Sequence, residues 1–134
     1  MFLNCETDYA IRIVACLAEH NDRLDAGSIS ELTGVTLRYS LKILHKLSCG
    51  NIVKSYKGAK GGYTLARSPE SITLYDVIEL ISGPISFSRC QNDGKLCTHP
   101  SGACYFKNTF EQLSKYSEKL FKEVTFQGVK NNED

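Results

Sequence analysis

Apolar residues recur along the first third of the chain with a helical period, and after Gly50 the period shortens to that of strands. Over residues 7–20, Tyr9, Ile13, Val14, Cys16 and Leu17 fall at helical spacing, with Asp8 in the first turn where the helix dipole favours a carboxylate. This predicts an amphipathic helix with Cys16 facing the core. Ser28, Ile29, Ser30 and Glu31 have the form of a capping box, predicting a short helix that starts there and ends at Thr33 and Gly34, with Gly34 supplying the turn. Over residues 36–49 the run TLRYSLKILHKLSC predicts a second helix with Leu37, Leu41, Leu44 and Leu47 on one stripe. Arg38, Tyr39, Lys42 and Lys46 are left on its other faces. Ile52, Val53 and Tyr56 lead into KGAKGG and then Tyr63, Thr64 and Leu65, which predicts a β-hairpin with a basic, glycine-rich tip. Thr73 to Asp76 caps a further helix carrying Leu74, Val77, Ile78 and Ile81, stopped by Gly83 and Pro84. Phe106, Phe110, Leu113, Ser117, Leu120 and Val124 then alternate in steps of four and three, a heptad-like seam on a long helix. A stripe of that length wants a partner and favours a homodimer. The closing GVKNNED has neither period nor apolar content and is expected to be a mobile tail.

The order of elements predicts a mainly α fold with a small β-hairpin wing, a winged helix-turn-helix followed by a long C-terminal dimerisation helix. The boundaries expected are 1–86 for the DNA-binding domain, 87–105 for a cysteine-rich loop, 106–127 for the dimerisation helix and 128–134 for the tail. At 134 residues the chain has room for one core. No apolar run approaches the roughly 18 to 20 residues that span a bilayer. Glu6, Asp8 and Arg12 interrupt the opening, unlike a signal peptide, so a cytoplasmic location is expected.

A net charge of +1 hides a strong asymmetry. Between Glu31 and Glu70 there is no acidic residue, while Arg38, Lys42, Lys46, Lys54, Lys57, Lys60 and Arg67 all lie there. Such a block is a footprint for a polyanion, because each phosphate neutralised releases condensed counterions. In a winged helix-turn-helix the second helix enters the major groove and the wing touches the flanking backbone of double-stranded DNA. Thr36, Arg38, Tyr39 and Lys42 occupy the turns that reach base edges, where an arginine can bind guanine with two hydrogen bonds. Lys57 and Lys60 lie among the wing glycines, just before Gly61, Gly62 and Tyr63, where bare backbone can approach phosphates. Ser28, at the expected start of the first helix of the pair, completes the set.

Six cysteines in a reducing compartment point to metal ligation or redox chemistry rather than structural disulfides. Cys90, Cys97 and Cys104 are spaced by seven, yet Asn92, Asp93, Gly94, Pro100 and Gly102 are turn formers, so the three belong on a loop. Structural zinc sites usually begin with a C-x2-C pair, which is missing here, whereas iron–sulfur clusters accept widely spaced thiolates with a fourth ligand from elsewhere. Cys16 and Cys49 read as buried apolar residues.

The block GVTLRYSLKILHKLSCGNIVKSYKGAKGGYTLARSPESITLYDVIELISGPI resembles the DNA-binding core of the Rrf2 family of bacterial transcription regulators. With TDYAIRIVACLA and the three-cysteine loop, the resemblance covers about residues 1–125. It implies a homodimer on a palindromic operator, and an iron–sulfur cluster, [2Fe-2S] or [4Fe-4S], on Cys90, Cys97 and Cys104. Cluster-bearing members commonly have five residues between these cysteines; this chain has six. The branch resembling the iron–sulfur biogenesis regulator adds a histidine three residues after the last cysteine, where this chain has Lys107. The branch resembling the nitric-oxide-sensing repressor uses an aspartate near the start of the first helix, and Asp8 matches it. Asp8 is therefore the first choice of fourth ligand, with His99 and Cys5 as rivals.

The function expected is an operator-binding regulator whose affinity follows the state of the cluster, through the spacing of two recognition helices. The alternative is a cluster-free regulator of the same type, controlled by thiol oxidation or by binding a metabolic enzyme. His20, His45 and His99 form no recognisable nucleophile–base pair or hydrolase motif, so an enzyme is not expected.

Overall fold

The computed structural model describes residues 3–20, 22–87 and 106–131. Helix α1 (Cys5–Glu19) starts two residues earlier than expected, because the Asn4 side chain accepts from the backbone N–H of Thr7. Helix α2 (Ala26–Thr33) also starts early. Its N-cap is Asp25, which accepts from the Ser28 N–H, so Ser28 lies inside the first turn and the expected capping box is not the cap. The Ser28 hydroxyl first, and the Ser28 N–H after it, hold the Asp25 carboxyl below its usual range by hydrogen bonding to it. Gly34 closes α2 in the left-handed conformation as expected, and the Val35 carbonyl accepts from Ser30 Oγ and Ser40 Oγ on the two flanking helices.

Helix α3 (Leu37–Cys49) is capped by Thr36, whose hydroxyl accepts from the Tyr39 N–H. Its buried residues are Ser40, Ile43, Leu44 and Leu47. Leu37 and Leu41, expected on the inner stripe, are about half exposed instead, at 49% and 46%. The physical reason is the 3.6-residue period: positions 40, 43/44 and 47 share a face, and 37 and 41 lie on its shoulder.

Strands β1 (Val53–Tyr56) and β2 (Gly62–Leu65) pair antiparallel, Val53 opposite Leu65 and Tyr56 opposite Gly62. Leu24, just before α2, adds an isolated antiparallel bridge to β2 by exchanging both backbone hydrogen bonds with Tyr63. A 3-10 turn over Pro69–Ser71 leads to α4 (Leu74–Ser82), which begins with the full Thr73/Asp76 capping box and ends at Gly83. One core joins Ile13, Val14 and Leu17 of α1, Ile43, Leu44 and Leu47 of α3, Ile72 and Val77.

Helix α5 (Lys107–Glu123) has no buried residue. Its seam divides: Phe110 and Ser117 are half-buried on the side carrying Glu118 and Lys122, which face Tyr75 of α4. Leu113, Leu120 and Val124 are exposed. The helix stops short of the expected residue 127. Val124 turns extended, Thr125 bridges to Thr73, and Phe126 enters the core at 4% exposure. A last helix, α6 (Gln127–Asn131), follows, with Val129 packed on the core. Burying one phenyl ring stabilises by about 1.5–3 kcal/mol, enough to draw a polar tail back onto the domain. The expectation of a free tail from Gly128 therefore differs from the helix seen; residues 132–134 lie outside the described residues.

Candidate nucleic-acid interface

Opposite the buried face of α3, at intervals of four, three and four, stand Arg38, Lys42, His45 and Cys49, all exposed. Arg38, Tyr39 and Lys42 line one surface cleft. Tyr39 is only partly available: its ring meets Tyr9 of α1 edge-on at 5.7 Å, and Lys42 Nζ lies 5.9 Å from its centroid. Thr36 is exposed, but its hydroxyl serves the cap.

Cys49 was expected to be buried and is exposed, with its Sγ 3.8 Å from His45 Nε2. The expectation failed because position 49 shares the outward stripe of 38, 42 and 45. Cys16 is buried as expected, and burial, reinforced by Glu19, pushes its thiol up. Such a thiol is inert by comparison with an exposed one.

At the wing, Lys57 and Lys60 are exposed at the tip. The glycines that follow are required by the fold itself. A side chain at Gly61 would meet the Tyr56 and Gly58 carbonyls at 2.7 and 2.8 Å. Gly62 is buried at φ +147, where a side chain would lie 2.9 Å from the Leu24 carbonyl. Tyr63 packs its ring partly against the core. Ser28 is half-buried in α2.

Arg23 carries no signal in the sequence, yet it braces the wing. Its guanidinium lies 3.5 Å over the Tyr56 ring and donates to the Lys60 carbonyl at 3.1 Å. Lys54 is 5.2 Å from the same ring, and the Tyr56 hydroxyl accepts from Thr64 Oγ1. That hydrogen bond first, and the two cations after it, draw the phenol below its usual value. Arg23 lies beside Asp22 and 37 residues from Lys60, so no local pattern marks it.

The basic block is partly neutralised in space. Glu6 of α1 pairs with Lys46 and lies 3.9 Å from Lys42, and Asp76 lies 3.8 Å from Arg67. Lys46 is the main cause that holds the Glu6 carboxyl below its usual range. Among the described residues, no carboxylate pairs with Arg38, Lys54, Lys57 or Lys60.

Of the candidate cluster ligands, Cys90, Cys97, Cys104 and His99 lie outside the described residues. Asp8 is half exposed and pairs with Arg12 at 3.0 Å, one turn along α1. Cys5 is exposed at the helix start. Buried Thr7 hydrogen-bonds Ser82, so the first turn of α1 lies against the C-terminal end of α4. Three thiolates with an accessible carboxylate or a further thiol form a donor set that fits an iron–sulfur cluster. No helix among the described residues is long and apolar enough to cross a membrane.

Comparison with known proteins gives a consistent picture. Residues 3–132 match the Rrf2 family model, described as an iron-dependent transcriptional regulator. A protein of Aquifex aeolicus assigned as an HTH-type transcriptional regulator is 30% identical over 128 residues, covering 94% of this chain and 89% of that one. The transcriptional regulator IscR of Yersinia pseudotuberculosis is 26% identical over the whole of this chain and 82% of its own. Among solved structures, CymR, the global cysteine regulator of B. subtilis, superposes with a TM-score of 0.80 at 23% identity, covering 100% and 99% of the two chains. IscR of T. potens does so with 0.79 at 25% identity, covering 99% and 89%.

Proposed function

The chain belongs to the Rrf2 family of transcriptional regulators, and we propose that it is a homodimer that reads a palindromic operator under the control of an iron–sulfur cluster on Cys90, Cys97, Cys104 and Asp8. The observation that carries the DNA half of this reading is the exposed outward stripe of α3 with Arg38 and Lys42, together with a braced wing bearing the exposed Lys54, Lys57 and Lys60. Arg38 and Lys42 approach base edges, with Thr36 and Tyr39 at the entry of the helix. The wing lysines position the domain on phosphates without reading sequence. Ser28, Gly61, Gly62 and Tyr63 shape that surface from behind. The exposed Leu113, Leu120 and Val124 favour pairing of two copies through α5, which would set two α3 helices at half-sites about 34 Å apart.

Regulation rests on the three-cysteine segment and on the position of α1. Cys90, Cys97 and Cys104 supply thiolates, and Asp8 supplies a carboxylate from an accessible helix turn. A bound cluster supplies sensitivity to oxidants, nitric oxide or iron–sulfur supply. Asp8 precedes Tyr9, which touches Tyr39 on the reading helix, so a change at Asp8 has a short path to the DNA surface. A chain that works in this way acts in the cytoplasm and catalyses no reaction.

Anaerobic purification with iron, sulfide and visible absorption measured per chain tests the reading. Matching iron and sulfide in a coloured protein is the expected result, and Asp8→Ala should then make the colour bleach faster in air. A second reading, a cluster-free regulator switched by thiol oxidation, is favoured by one observation: exposed Cys49 lies 3.8 Å from His45 on the outward stripe of α3. A colourless protein whose DNA binding is lost on peroxide treatment and restored by dithiothreitol would establish it.

A further inference from the structure

Helices α1 and α3 pass one another so that the first turn of α1 lies beside the middle of α3. Glu6 Oε1 accepts a hydrogen bond from Lys46 Nζ and lies 3.9 Å from Lys42 Nζ. The Glu6 side chain is 21% exposed, against 57% for Lys42 and 41% for Lys46. The carboxylate is therefore the fixed member. It belongs to a turn held by the Asn4 cap and by the Thr7–Ser82 hydrogen bond. The lysines are the long, mobile members, and Lys42 stands on the same outward stripe as Arg38. A duplex approaching α3 competes with Glu6 for both ammonium groups.

Building on the DNA-binding reading above, we propose that Glu6 is a specificity-determining residue that holds Lys42 and Lys46 away from the phosphates of non-cognate DNA. Phosphate contacts add affinity for every sequence and carry no sequence information. A carboxylate that occupies two lysines removes up to two such contacts from non-cognate complexes and leaves discrimination to the base-edge groups, Arg38 and, once it is released from Glu6 at a cognate site, Lys42. In a non-cognate complex α3 is free to shift toward the backbone, so lysines released from Glu6 gain their full contacts. At a cognate site the base contacts fix the depth and rotation of the helix, and the gain is smaller. Glu6 does this without touching DNA itself, and its effect is read in salt dependence.

The test compares the full chain with Glu6→Gln on two duplexes of equal length, one enriched by the wild-type protein from a randomised pool and one scrambled. For the scrambled duplex, the slope of log K against log salt should steepen by about 0.9 to 1.8, the value for one to two added phosphate contacts, and affinity at low salt should rise about tenfold. The enriched duplex should gain about threefold or less, so the ratio between them falls. In a Lys42→Gln, Lys46→Gln background, Glu6→Gln should change neither slope nor ratio; a change there would overturn the proposal. An unchanged slope and ratio in the otherwise wild-type chain would overturn it too, as would weaker binding to both duplexes by a variant with a wild-type circular dichroism spectrum. Failure of the wild-type protein to enrich any duplex would instead remove the DNA-binding reading on which the proposal stands.

Discussion

Helices α3 and α5 carry similar apolar patterns and meet different fates. On α3 the inner stripe of Ser40, Ile43, Leu44 and Leu47 is buried by α1 and its neighbours within one chain. On α5 no residue is buried, and Leu113, Leu120 and Val124 remain in solvent while Phe110 and Ser117 take the half-buried side. An amphipathic period says that a helix has an apolar side; it does not say which surface will cover it. The number of elements within reach decides that. Helix α3 lies inside a ring made by α1, α2, β1 and α4, while among the described residues α5 packs mainly on α4 and is tied down at its C-terminal end by Phe126.

The sharpest way to break the contrast is to cut each side where it is anchored. Leu44→Ala in α3 should cost about 2–5 kcal/mol of stability and Phe126→Ala about 3–5 kcal/mol, each seen as a lower urea midpoint. The two should differ in kind. Loss of Leu44 should lower the whole transition, whereas loss of Phe126 should free α6 and the end of α5 first, visible as faster amide exchange over residues 124–131. Equal exchange throughout the chain in both variants would show that α5 is as integral to the core as α3.

Next in size is the exposed seam. Leu113→Lys combined with Leu120→Lys should leave the unfolding midpoint of the monomer within about 0.5 kcal/mol of wild type, since neither side chain is buried within the chain. The same pair should convert a dimer to a monomer in sedimentation and weaken operator binding by at least about a hundredfold, because half-sites no longer bind as one unit. A wild-type chain that sediments as a monomer would remove the dimer from the proposed function. On the outer face of α3, Arg38→Ala should cost about 1–3 kcal/mol on an enriched duplex and far less on a scrambled one, with the fold intact.

How much of this was legible in the sequence depended on how local each feature is. The α4 capping box, the Gly34 turn and the hairpin are written within a few consecutive residues and appear as read. The start of α2 was misplaced because Ser28 to Glu31 has the letters of a capping box while Asp25, three residues earlier, has the geometry. Cys49 was assigned to the core on residue type, and its exposure follows from helix angle. Glu6 and Arg23 act across 40 and 37 residues of chain, and no spacing rule reaches that far. The basic block therefore looked uniformly positive in one dimension, although Glu6 and Asp76 enter it in three. The wing glycines carry a second requirement that the sequence does not show, because the carbonyls of Tyr56 and Leu24 leave no room for a side chain there.

The smallest effect concerns the side of α3 that faces α1. Because Lys46, with Lys42, holds the Glu6 carboxyl below its ordinary value in the folded chain, the folded state binds fewer protons than the unfolded one around that value. The stabilisation is thus complete above the unfolded carboxylate pKa, near 4.3, and is lost as pH falls through the depressed folded value. The lysines are 57% and 41% exposed, so water and salt screen the pair and its contribution is modest. Wild type should exceed Glu6→Gln in melting temperature by about a degree or two at pH 6 in low salt, and the two should draw together as pH falls through the depressed folded value. Adding salt at pH 6 should close the same gap. A difference that salt does not reduce would mean that Glu6 supports α3 by packing and not by charge, and the contrast between a screened, adjustable α1–α3 contact and the buried stripe behind it would disappear.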